Sequence, residues 1–484
     1  MPDEDNEGAD GVEVTTPAGR VRGRRTDGGF LFAGVPFAEP PLGDLRLAPP
    51  VPARPWGGTR SCLSFPAPPA QPAGMVEGSE DCLYLNVWTP SLTGSLPVVV
   101  WVYGGGFEGG SASPPFTDGA SLARGLQAVT VALNYRVGAL GFLRAEDGAN
   151  VGIRDVIQGL EWVRTSVSAF GGDPARVTVM GQSAGAFIIG ALLGAPAATD
   201  LFHRAILQSG STGRVFSAET ADAVRAALFA RLDVTSLTEL RRLPARAIIE
   251  AQGDVIDQDI GRRNLPGGRS WGTVLDGQLL PEHPHDVVAR GGARDIPLLL
   301  STTRDEVQFW AVLQPSRFAP GDDAALVDEM LRAGVEDPDQ LVGSYREAAP
   351  GATLARLRSR FLSDYIYRWP AQQLARAQAA SGGAAYLAEF TSAPLGEELG
   401  ACHACELTYL FDTLGPALTV PDTPENRALK DEIYAAWRSF VHTGVADWPP
   451  VQADDPLVTI REFGPRSTSP VHWGATWRSA ASTT

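Results

Sequence analysis

Lysine is almost missing from this chain of 484 residues: Lys430 is the only one, and arginine supplies the rest of the 40 basic residues. Acidic residues number 56, so the formal net charge is −16 at pH 7. Nucleic acids and anionic membranes are bound through basic patches, which this charge balance disfavours. We therefore expect neither of them as a partner.

Long apolar runs are also missing. No stretch approaches the roughly 18 consecutive apolar residues of a membrane-spanning helix. The start, MPDEDNEGADG, has neither the basic part nor the apolar part of a secretory leader, so we expect a cytoplasmic protein. Residues 1–10 and 479–484 should be disordered or flexible because they bury little apolar area, and 11–478 should form a single domain.

Cysteine is scarce, with four residues in the chain. Cys62 and Cys82 enclose a proline-rich loop, and a disulfide would hold that loop in place, although a cytoplasmic setting disfavours one. Cys402 and Cys405 flank a histidine in the sequence CHAC, a spacing that also occurs in redox pairs and in half of a zinc site. No second Cys/His pair completes a metal site, so we expect two reduced, packed thiols, no metal and no cofactor.

Apolar, β-branched runs alternate with helix-like stretches along the chain. Residues 97–103 and 128–134 are almost continuous apolar runs, typical of parallel strands buried on both faces, and 151–167 has helical spacing. This alternation predicts an α/β fold with a central, mostly parallel, twisted sheet flanked by helices. Stretches at roughly 214–265 and 315–375 should be helical insertions that form a cap or a regulatory region.

The stretch FGGDPARVTVMGQSAG, residues 170–185, ends in a serine between two glycines. A β-branched run precedes Ser183 and an apolar, helix-like run follows it, so the serine lies where a strand turns into a helix. This is the context of a nucleophile elbow, in which the tight turn exposes the serine Oγ. A second GxSxG, centred on Ser270, follows a loop-like segment and leads into no helix, so we interpret it as a coincidence.

Three glycines, Gly104, Gly105 and Gly106, directly follow the apolar run that ends at residue 103. One interpretation is a flexible turn. The other is that these residues, which have no side chains, let backbone N–H groups approach a reacting carbonyl and hold its oxyanion. Their position after a buried strand and upstream of the elbow favours the oxyanion hole.

A serine nucleophile needs a base, and the base needs an acid to orient it. In elbow-type hydrolases the acid and then the histidine follow the serine in the chain. His403 meets this order, since it follows the strand-like AAYLAEFT. Asp305 and Glu306 both follow a strand-like run at 296–300, and the pattern does not separate them. The remaining histidines fit packing, loop or tail positions: His203, His283, His285, His442 and His472.

Taken together, these segments resemble the type B carboxylesterase/lipase family, the cholinesterase-like branch of the α/β-hydrolases. The similarity extends from about residue 34 to 448 and is greatest to bacterial, para-nitrobenzyl-esterase-like members. It implies an α/β-hydrolase fold and a serine carboxylesterase. The motifs that carry it are GVPFAEPPLGDLR, EDCLYLNVW, WVYGGGF, NYRVGALGF, FGGDPARVTVMGQSAG, AILQSGS and GACHACELTYLF.

The resemblance also assigns roles to individual residues. Ser183 would be the nucleophile, His403 the base and Glu306, rather than Asp305, the acid. The expected oxyanion-hole donors are the N–H groups of Gly105, Gly106 and Ala184. Two further residues are expected to contact these groups and not the substrate: Ser209, beside the acid, and Gln182.

Outside the site, the resemblance implies a Cys62–Cys82 disulfide and structural ion pairs between Arg46 and Glu80 and between Arg136 and Asp155. The chain also departs from the cholinesterases. Gln182 stands where they carry glutamate, and the loop from 62 to 82 has no tryptophan to receive a quaternary ammonium group. A choline ester is therefore not the expected substrate.

The predicted activity is hydrolysis of a small-molecule carboxylic ester through an acyl-enzyme intermediate. The same machinery would also serve an amidase, a carbamate hydrolase or a specialised detoxifying esterase. The fold also occurs in catalytically inactive binding or adhesion modules, which commonly lack the serine that is present here. The patterns do not distinguish a monomer from a homo-oligomer.

Overall fold

A computed structural model describes residues 11–72, 78–114, 117–145, 148–257, 270–415, 420–454 and 459–465. The expected flexible ends, 1–10 and 479–484, lie outside these ranges, as do residues 258–265 of the first expected insertion. Among the described residues, the buried apolar side chains form one large cluster and a satellite of four, which are Ala149, Phe216, Ala221 and Val274.

The strands, in chain order, are β1 Gly11–Thr16, β2 Gly19–Thr26, β3 Gly29–Pro36, β4 Thr59–Ser61, β5 Tyr84–Thr89, β6 Leu96–Val102, β7 Val129–Leu133, β8 Gly172–Gln182, β9 Arg204–Gln208, β10 Val215–Phe216, β11 Thr273–Val274, β12 Leu298–Thr303, β13 Ala385–Phe390 and β14 Ile460–Phe463.

The helices are α1 Gly119–Leu126, α2 Gly138–Phe142, α3 Val151–Ser166, α4 Ala184–Leu192, α5 Ala218–Leu232, α6 Leu237–Arg242, α7 Ala245–Asp257, α8 Pro284–Ala289, α9 Gln308–Leu313, α10 Pro315–Phe318, α11 Asp323–Arg332, α12 Pro338–Ala348, α13 Leu354–Ser363, α14 Trp369–Ala380, α15 Leu407–Leu410 and α16 Pro424–Thr443. A π-helical turn, Asp364–Arg368, joins α13 to α14.

Twelve of the described strands form one sheet in the order β1-β2-β3-β5-β7-β6-β8-β9-β12-β13-β14, with β4 pairing β2. From β7 to β14 every neighbouring pair is parallel, whereas β1, β2, β3, β5 and β7 pair antiparallel. The predicted mostly parallel sheet with flanking helices is confirmed. Because β6, β8, β12 and β13 run in the same direction, the chain leaves all four at the same edge of the sheet.

Neighbouring elements cover both faces of β6, and this burial explains why its sequence is almost continuously apolar.

Helices α5, α6 and α7 fall within the first expected insertion and α10 to α13 within the second. The first N–H groups of a helix have no backbone acceptor within it, and in several of these helices a side chain accepts a hydrogen bond from one of them. At the start of α5, for example, the Ser217 side chain accepts from the N–H of Thr220. The single-domain assignment and the cap role of these helices stay predictions.

Both ion pairs implied by the resemblance are present. An Arg46 nitrogen lies 2.5 Å from a carboxylate oxygen of Glu80, and an Arg136 nitrogen lies 2.6 Å from Asp155 Oδ1. Asp155 also accepts a bond from the backbone N–H of Arg136, so this buried carboxylate is bound from several directions. Removing either partner of such a buried pair would strongly destabilise the fold, because the other charge would be left buried and unpaired.

The expected disulfide between Cys62 and Cys82 is not formed, and both residues are free thiols. Each side chain is fully buried, and Cys62 Sγ donates to the carbonyl oxygen of Gly34 at 3.8 Å. Burial raises the pKa of the Cys62 thiol to about 12 and that of the Cys82 thiol further above its ordinary value. The two residues therefore act as small packed side chains, and the loop between them is not covalently closed.

Candidate active site

Ser183 lies between the last residue of β8 and the first residue of α4, with φ at 54° and ψ at −121°. Few non-glycine residues adopt a positive φ, and such a conformation costs about 1–3 kcal/mol. Two backbone hydrogen bonds hold the turn: Ser183 N donates to Gln208 O at 2.8 Å, and Phe187 N donates to Ser183 O at 3.0 Å. The residue is partly exposed in an otherwise buried segment, as the predicted elbow requires.

The glycines on either side of this serine are required by close backbone approach. A Cβ at Gly181 would lie 2.7 Å from Val102 O, and a Cβ at Gly185 would lie 2.0 Å from the same atom. The end of β6 therefore presses on both flanks of the elbow. The GxSxG pattern reflects this steric requirement and not only the shape of the turn.

The glycine triplet packs directly on the elbow. A Cβ at Gly104 would lie 3.0 Å from the Cβ of Ser183, and Gly105 has a φ of 126°. Within the described part of the chain, the N–H groups of Gly105 and Gly106 donate to no protein acceptor. Ala184 is the first residue of α4, where an N–H has no acceptor within the helix. The three expected oxyanion-hole donors are therefore not bonded to other groups among the described residues.

His403 and Glu306 are joined across 97 residues of sequence. His403 Nδ1 lies 2.5 Å from Glu306 Oε2, and Glu306 Oε1 accepts from the N–H of Thr303 at 2.8 Å. The Glu306 side chain is fully buried, whereas 9% of the His403 side chain is exposed. Buried and bonded at both oxygens, this carboxylate orients the imidazole.

The neighbouring Asp305 has a different set of contacts. Its Oδ2 accepts from Arg304 Nε at 2.9 Å and from the N–H of Ala401 at 3.0 Å, and its Oδ1 lies 3.4 Å from Arg356. It binds the backbone of the loop that carries His403 but not the imidazole. Of the two carboxylates that the sequence pattern left open, Glu306 contacts the imidazole and Asp305 contacts the backbone of the loop.

The other imidazole nitrogen faces the residue before the serine. His403 Nε2 lies 3.1 Å from Gln182 Nε2, and among the described residues no hydrogen bond joins it to Ser183 Oγ. The imidazole therefore contacts the residue that directly precedes Ser183. Catalytic hydrogen bonds are often long before a substrate binds and shorten in the reactive complex.

Aromatic rings enclose the imidazole. The ring centroids of Trp310 and Tyr367 lie 5.1 and 5.0 Å from that of His403. Tyr367 in turn lies 6.1 Å from Phe187 of α4, and the guanidinium of Arg214 covers Phe187 at 5.6 Å. Trp310 and Tyr367 therefore restrict the movement of the imidazole.

The sequence patterns did not identify the buried carboxyl group of Glu406 as part of this site. It follows His403 by three residues, and its Oε1 accepts from Gln208 Nε2 at 3.3 Å. Burial, and next the charge of Glu306, raises the pKa of Glu406 to about 8. Glu406 is therefore protonated at neutral pH. Its position in the CHACEL motif, three residues after the histidine, is the signal that could have identified it.

Ser209 does not make the contact that was expected of it. Its Oγ is buried and has no hydrogen-bond partner within the described ranges, while its N–H donates to Ser301 O at 2.7 Å. Glu306 is instead bonded to Thr303 and His403. Ser209 has a φ of 51° and follows the strand that pairs with β8, so its backbone supports the edge of the site.

The two thiols beside His403 contact each other. Cys402 and Cys405 are buried and free, and a side-chain hydrogen bond between them is the main cause that lowers the pKa of Cys402. Burial raises the pKa of Cys405 well above its ordinary value. Within the described residues, no group of three His, Cys, Asp or Glu side chains could hold a metal ion.

The remaining histidines and the second GxSxG lie apart from this constellation. His203 Nδ1 accepts from the N–H of Val177 at 3.2 Å, and His442 Nε2 lies 2.9 Å from Leu126 O, which are packing roles. His283 and His285 begin α8. Ser270 is buried, and its segment leads into the two-residue strand β11 and not into a helix. His472 lies outside the described residues.

A protein-family model described as the carboxylesterase family matches residues 10–476 of the chain. The chain belongs to the carboxylesterase family. It is accordingly a carboxylic-ester hydrolase, and the resemblance inferred from its motifs is confirmed. No helix in the described part of this carboxylesterase is long and apolar enough to cross a membrane.

Curated relatives of this carboxylesterase match nearly its full length. A fumonisin B1 esterase of Sphingopyxis macrogoltabida is 34% identical over 475 residues, covering 92% of this chain and 85% of that protein. A para-nitrobenzyl esterase of Bacillus subtilis is 33% identical, covering 90% and 92%. A phenmedipham hydrolase of Pseudarthrobacter oxydans is 33% identical, covering 92% and 94%.

Solved structures agree with the fold. A carboxylesterase of Geobacillus stearothermophilus is 33% identical and has a TM-score of 0.83, covering 93% of this chain and 96% of that one. A structure described as a PNB esterase is 31% identical with a TM-score of 0.81 and the same coverage. The α/β-hydrolase fold predicted from the motifs is therefore confirmed.

Proposed function

We propose that this carboxylesterase hydrolyses small-molecule esters through an acyl-enzyme formed on Ser183, with His403 as base and Glu306 as acid. One observation carries the proposal. His403 is paired with Glu306 and contacts Gln182, the residue directly before a serine whose backbone is held at a positive φ at the junction of β8 and α4. A base, an orienting carboxylate and an exposed hydroxyl meeting at one point are the requirements for nucleophilic catalysis.

In the first step, Ser183 Oγ attacks the ester carbonyl carbon while His403 Nε2 removes the hydroxyl proton. The carbonyl oxygen gains negative charge, which the N–H groups of Gly105, Gly106 and Ala184 stabilise, each donor contributing about 3–4 kcal/mol at the barrier. The imidazolium then protonates the alkoxide as it leaves. The alcohol departs, and an ester between Ser183 and the acyl group remains.

In the second step, a water molecule takes the place of the alcohol. His403 removes a proton from the water as it attacks the acyl carbon, and the same N–H groups hold the oxyanion again. Return of the proton to Ser183 Oγ releases the carboxylic acid. Throughout, the buried Glu306 carboxylate stabilises the imidazolium and keeps Nδ1 protonated.

The experiment compares Ser183→Ala with Ser270→Ala, which alters the serine of the second GxSxG. Rapid mixing with para-nitrophenyl acetate should give a burst of para-nitrophenol for the wild type and for Ser270→Ala, and none for Ser183→Ala. Steady-state turnover of Ser183→Ala should fall by about 10⁴-fold or more. A full burst from Ser183→Ala would refute the proposed nucleophile.

A further inference from the structure

The imidazole of His403 is bonded at both nitrogens, and only one partner carries a charge. Glu306 Oε2 lies 2.5 Å from Nδ1, and the amide nitrogen of Gln182 lies 3.1 Å from Nε2. Gln182 is buried, with 3% of its surface exposed, so water does not compete freely for this contact. The residue before the nucleophile therefore contacts the nitrogen that has to accept the serine proton.

The tautomer of the neutral ring follows from these contacts. A carboxylate can only accept, so Nδ1 must carry the hydrogen that points at Glu306. The neutral imidazole then has a lone pair at Nε2, and the group that faces it must donate. An amide nitrogen is a donor. The orientation of the Gln182 amide thus agrees with the tautomer that a base needs.

A protonated ring reverses the requirement at Nε2, which then carries a hydrogen and needs an acceptor. The amide of Gln182 supplies one only if it turns over and presents its oxygen. A carboxylate at this position would accept in its existing orientation and add an attractive negative charge. Glutamine thus favours the neutral ring, whereas glutamate would favour the protonated ring.

The space around the amide is shaped for this contact. A Cβ at Gly104 would lie 2.6 Å from Gln182 Oε1 and 2.8 Å from Gln182 O. Any side chain at that position would displace the amide. The first glycine of the triplet is therefore needed for the placement of Gln182 as well as for close approach to Ser183.

Other titratable groups near the ring already favour a positive charge on it. Glu306 contacts Nδ1, while Glu406 is protonated below about pH 8 and Asp305 is bound to arginines. A further charge at position 182 would add to that field at the nitrogen that does the chemistry. The titratable groups that contact His403 are Glu306 and Tyr367, and those on its own loop or bound to that loop are Cys402, Cys405, Glu406 and Asp305.

We propose that Gln182 is a positioning residue that donates to Nε2 of neutral His403 in the resting enzyme, holding the ring as a base until the Ser183 hydroxyl replaces the amide at Nε2, and extending activity to lower pH than a carboxylate would allow. This inference rests on the proposed function, in which His403 is the base. The role is distinct from catalysis because Gln182 acts through the imidazole and not on the substrate.

The test is the pH dependence of kcat/KM for para-nitrophenyl acetate in the wild type, Gln182→Glu and Gln182→Met. The fall of kcat/KM at low pH reports protonation of the base in the free enzyme. In Gln182→Glu the midpoint of that fall should move upward by about one pH unit or more. Gln182→Met, which has a similar size but no charge or donor, should move the midpoint upward by less than Gln182→Glu does and should lower the plateau of kcat severalfold.

A second measurement does not depend on turnover. Nitrogen NMR of histidine-labelled protein, with His403 assigned by its absence in His403→Gln, should show a proton on Nδ1 and none on Nε2 at pH 7 in the wild type. In Gln182→Glu the ring should be protonated over a wider range of pH. Circular dichroism and the Tm of each variant establish that it is folded.

An unchanged acid midpoint in folded, active Gln182→Glu would overturn the inference, as would a proton on Nε2 in the neutral wild-type ring. Failure of the proposed function has another signature, namely a burst of para-nitrophenol that survives in Ser183→Ala. The two failures are therefore distinguishable within the same set of proteins.

Discussion

The elbow that carries Ser183 and the loop that carries His403 meet at one site but are held in different ways. At the elbow, backbone packs on backbone, and a Cβ at Gly185 would lie 2.0 Å from Val102 O. No side-chain movement relieves that contact. The position of Ser183 is therefore set by steric exclusion.

The loop of His403 depends on a few long-range polar contacts. Asp305 N donates to Ala401 O at 2.9 Å, Ala401 N donates to Asp305 Oδ2 at 3.0 Å, and His403 N donates to Glu306 O at 3.2 Å. These bonds attach the loop to the end of β12. The difference implies that substitutions at the elbow should damage folding, whereas substitutions around the loop should damage activity and leave the fold.

The largest effect on stability is expected for Gly185→Ala. The added Cβ cannot avoid the carbonyl of Val102, and overpacking of this kind costs about 3 kcal/mol. Urea unfolding should show that loss, or the soluble yield should fall. Gly253→Ala is the matched control, because Gly253 lies in α7 and no atom lies within 4 Å of a Cβ added there. Alanine at this helical position should be neutral or stabilising. Equal stability of the two variants would contradict the steric account of the elbow.

The largest effect on activity without loss of fold is expected for Glu306→Gln. The side chain keeps its shape and can still accept from Thr303, but it no longer stabilises the imidazolium or fixes the tautomer. The kcat for para-nitrophenyl acetate should fall by about 10⁴-fold, with a far-UV spectrum like that of the wild type.

Asp305→Asn is the matched control for that variant, one residue away. It can still accept from Ala401 N, and it loses only its charge toward Arg304 and Arg356, worth about 1 kcal/mol of stability. Most of the activity should remain. If Asp305→Asn were the more damaged enzyme, Asp305 and Glu306 would have to exchange their assigned roles.

A smaller, pH-dependent effect is expected at Glu406, which is part of the loop but touches neither Ser183 nor a charged partner. Its pKa is raised from 4.5 to about 8, so the folded state holds a proton that the unfolded state releases earlier. The associated stability is complete below about pH 4.5 and is lost as pH rises through about 8. Glu406→Gln should flatten the decline of Tm over this range, and identical slopes in both proteins would contradict the buried, protonated carboxyl.

The smallest effect is expected at Cys62 and Cys82, which belong to neither region. A disulfide would contribute about 2–4 kcal/mol, so a reductant would lower the Tm if one existed. With free thiols the Tm should not change, and titration in denaturant without reductant should count four thiols. Two thiols would show that the loop from 62 to 82 is closed covalently after all.

The local features of the site could be predicted from the chain because their causes are local. A serine at a strand-to-helix turn needs glycines on both sides, and a strand covered on both faces needs an apolar run, so GQSAG and PVVVWV carry their structure in residue type alone. The same applies to the first two glycines of the triplet, where an added Cβ would meet Ser183 or Gly109.

What the tertiary structure decided concerns partners distant in sequence. Asp305 and Glu306 are chemically alike, and only the fold determines that one carboxylate reaches the imidazole while the other binds the backbone of the loop. The contact of Gln182 with His403, the protonated Glu406 and the unpaired Cys62 and Cys82 likewise depend on packing between segments. No periodicity encodes such contacts, because residue type sets what a side chain can bond to, and the folded sheet sets which groups come within reach.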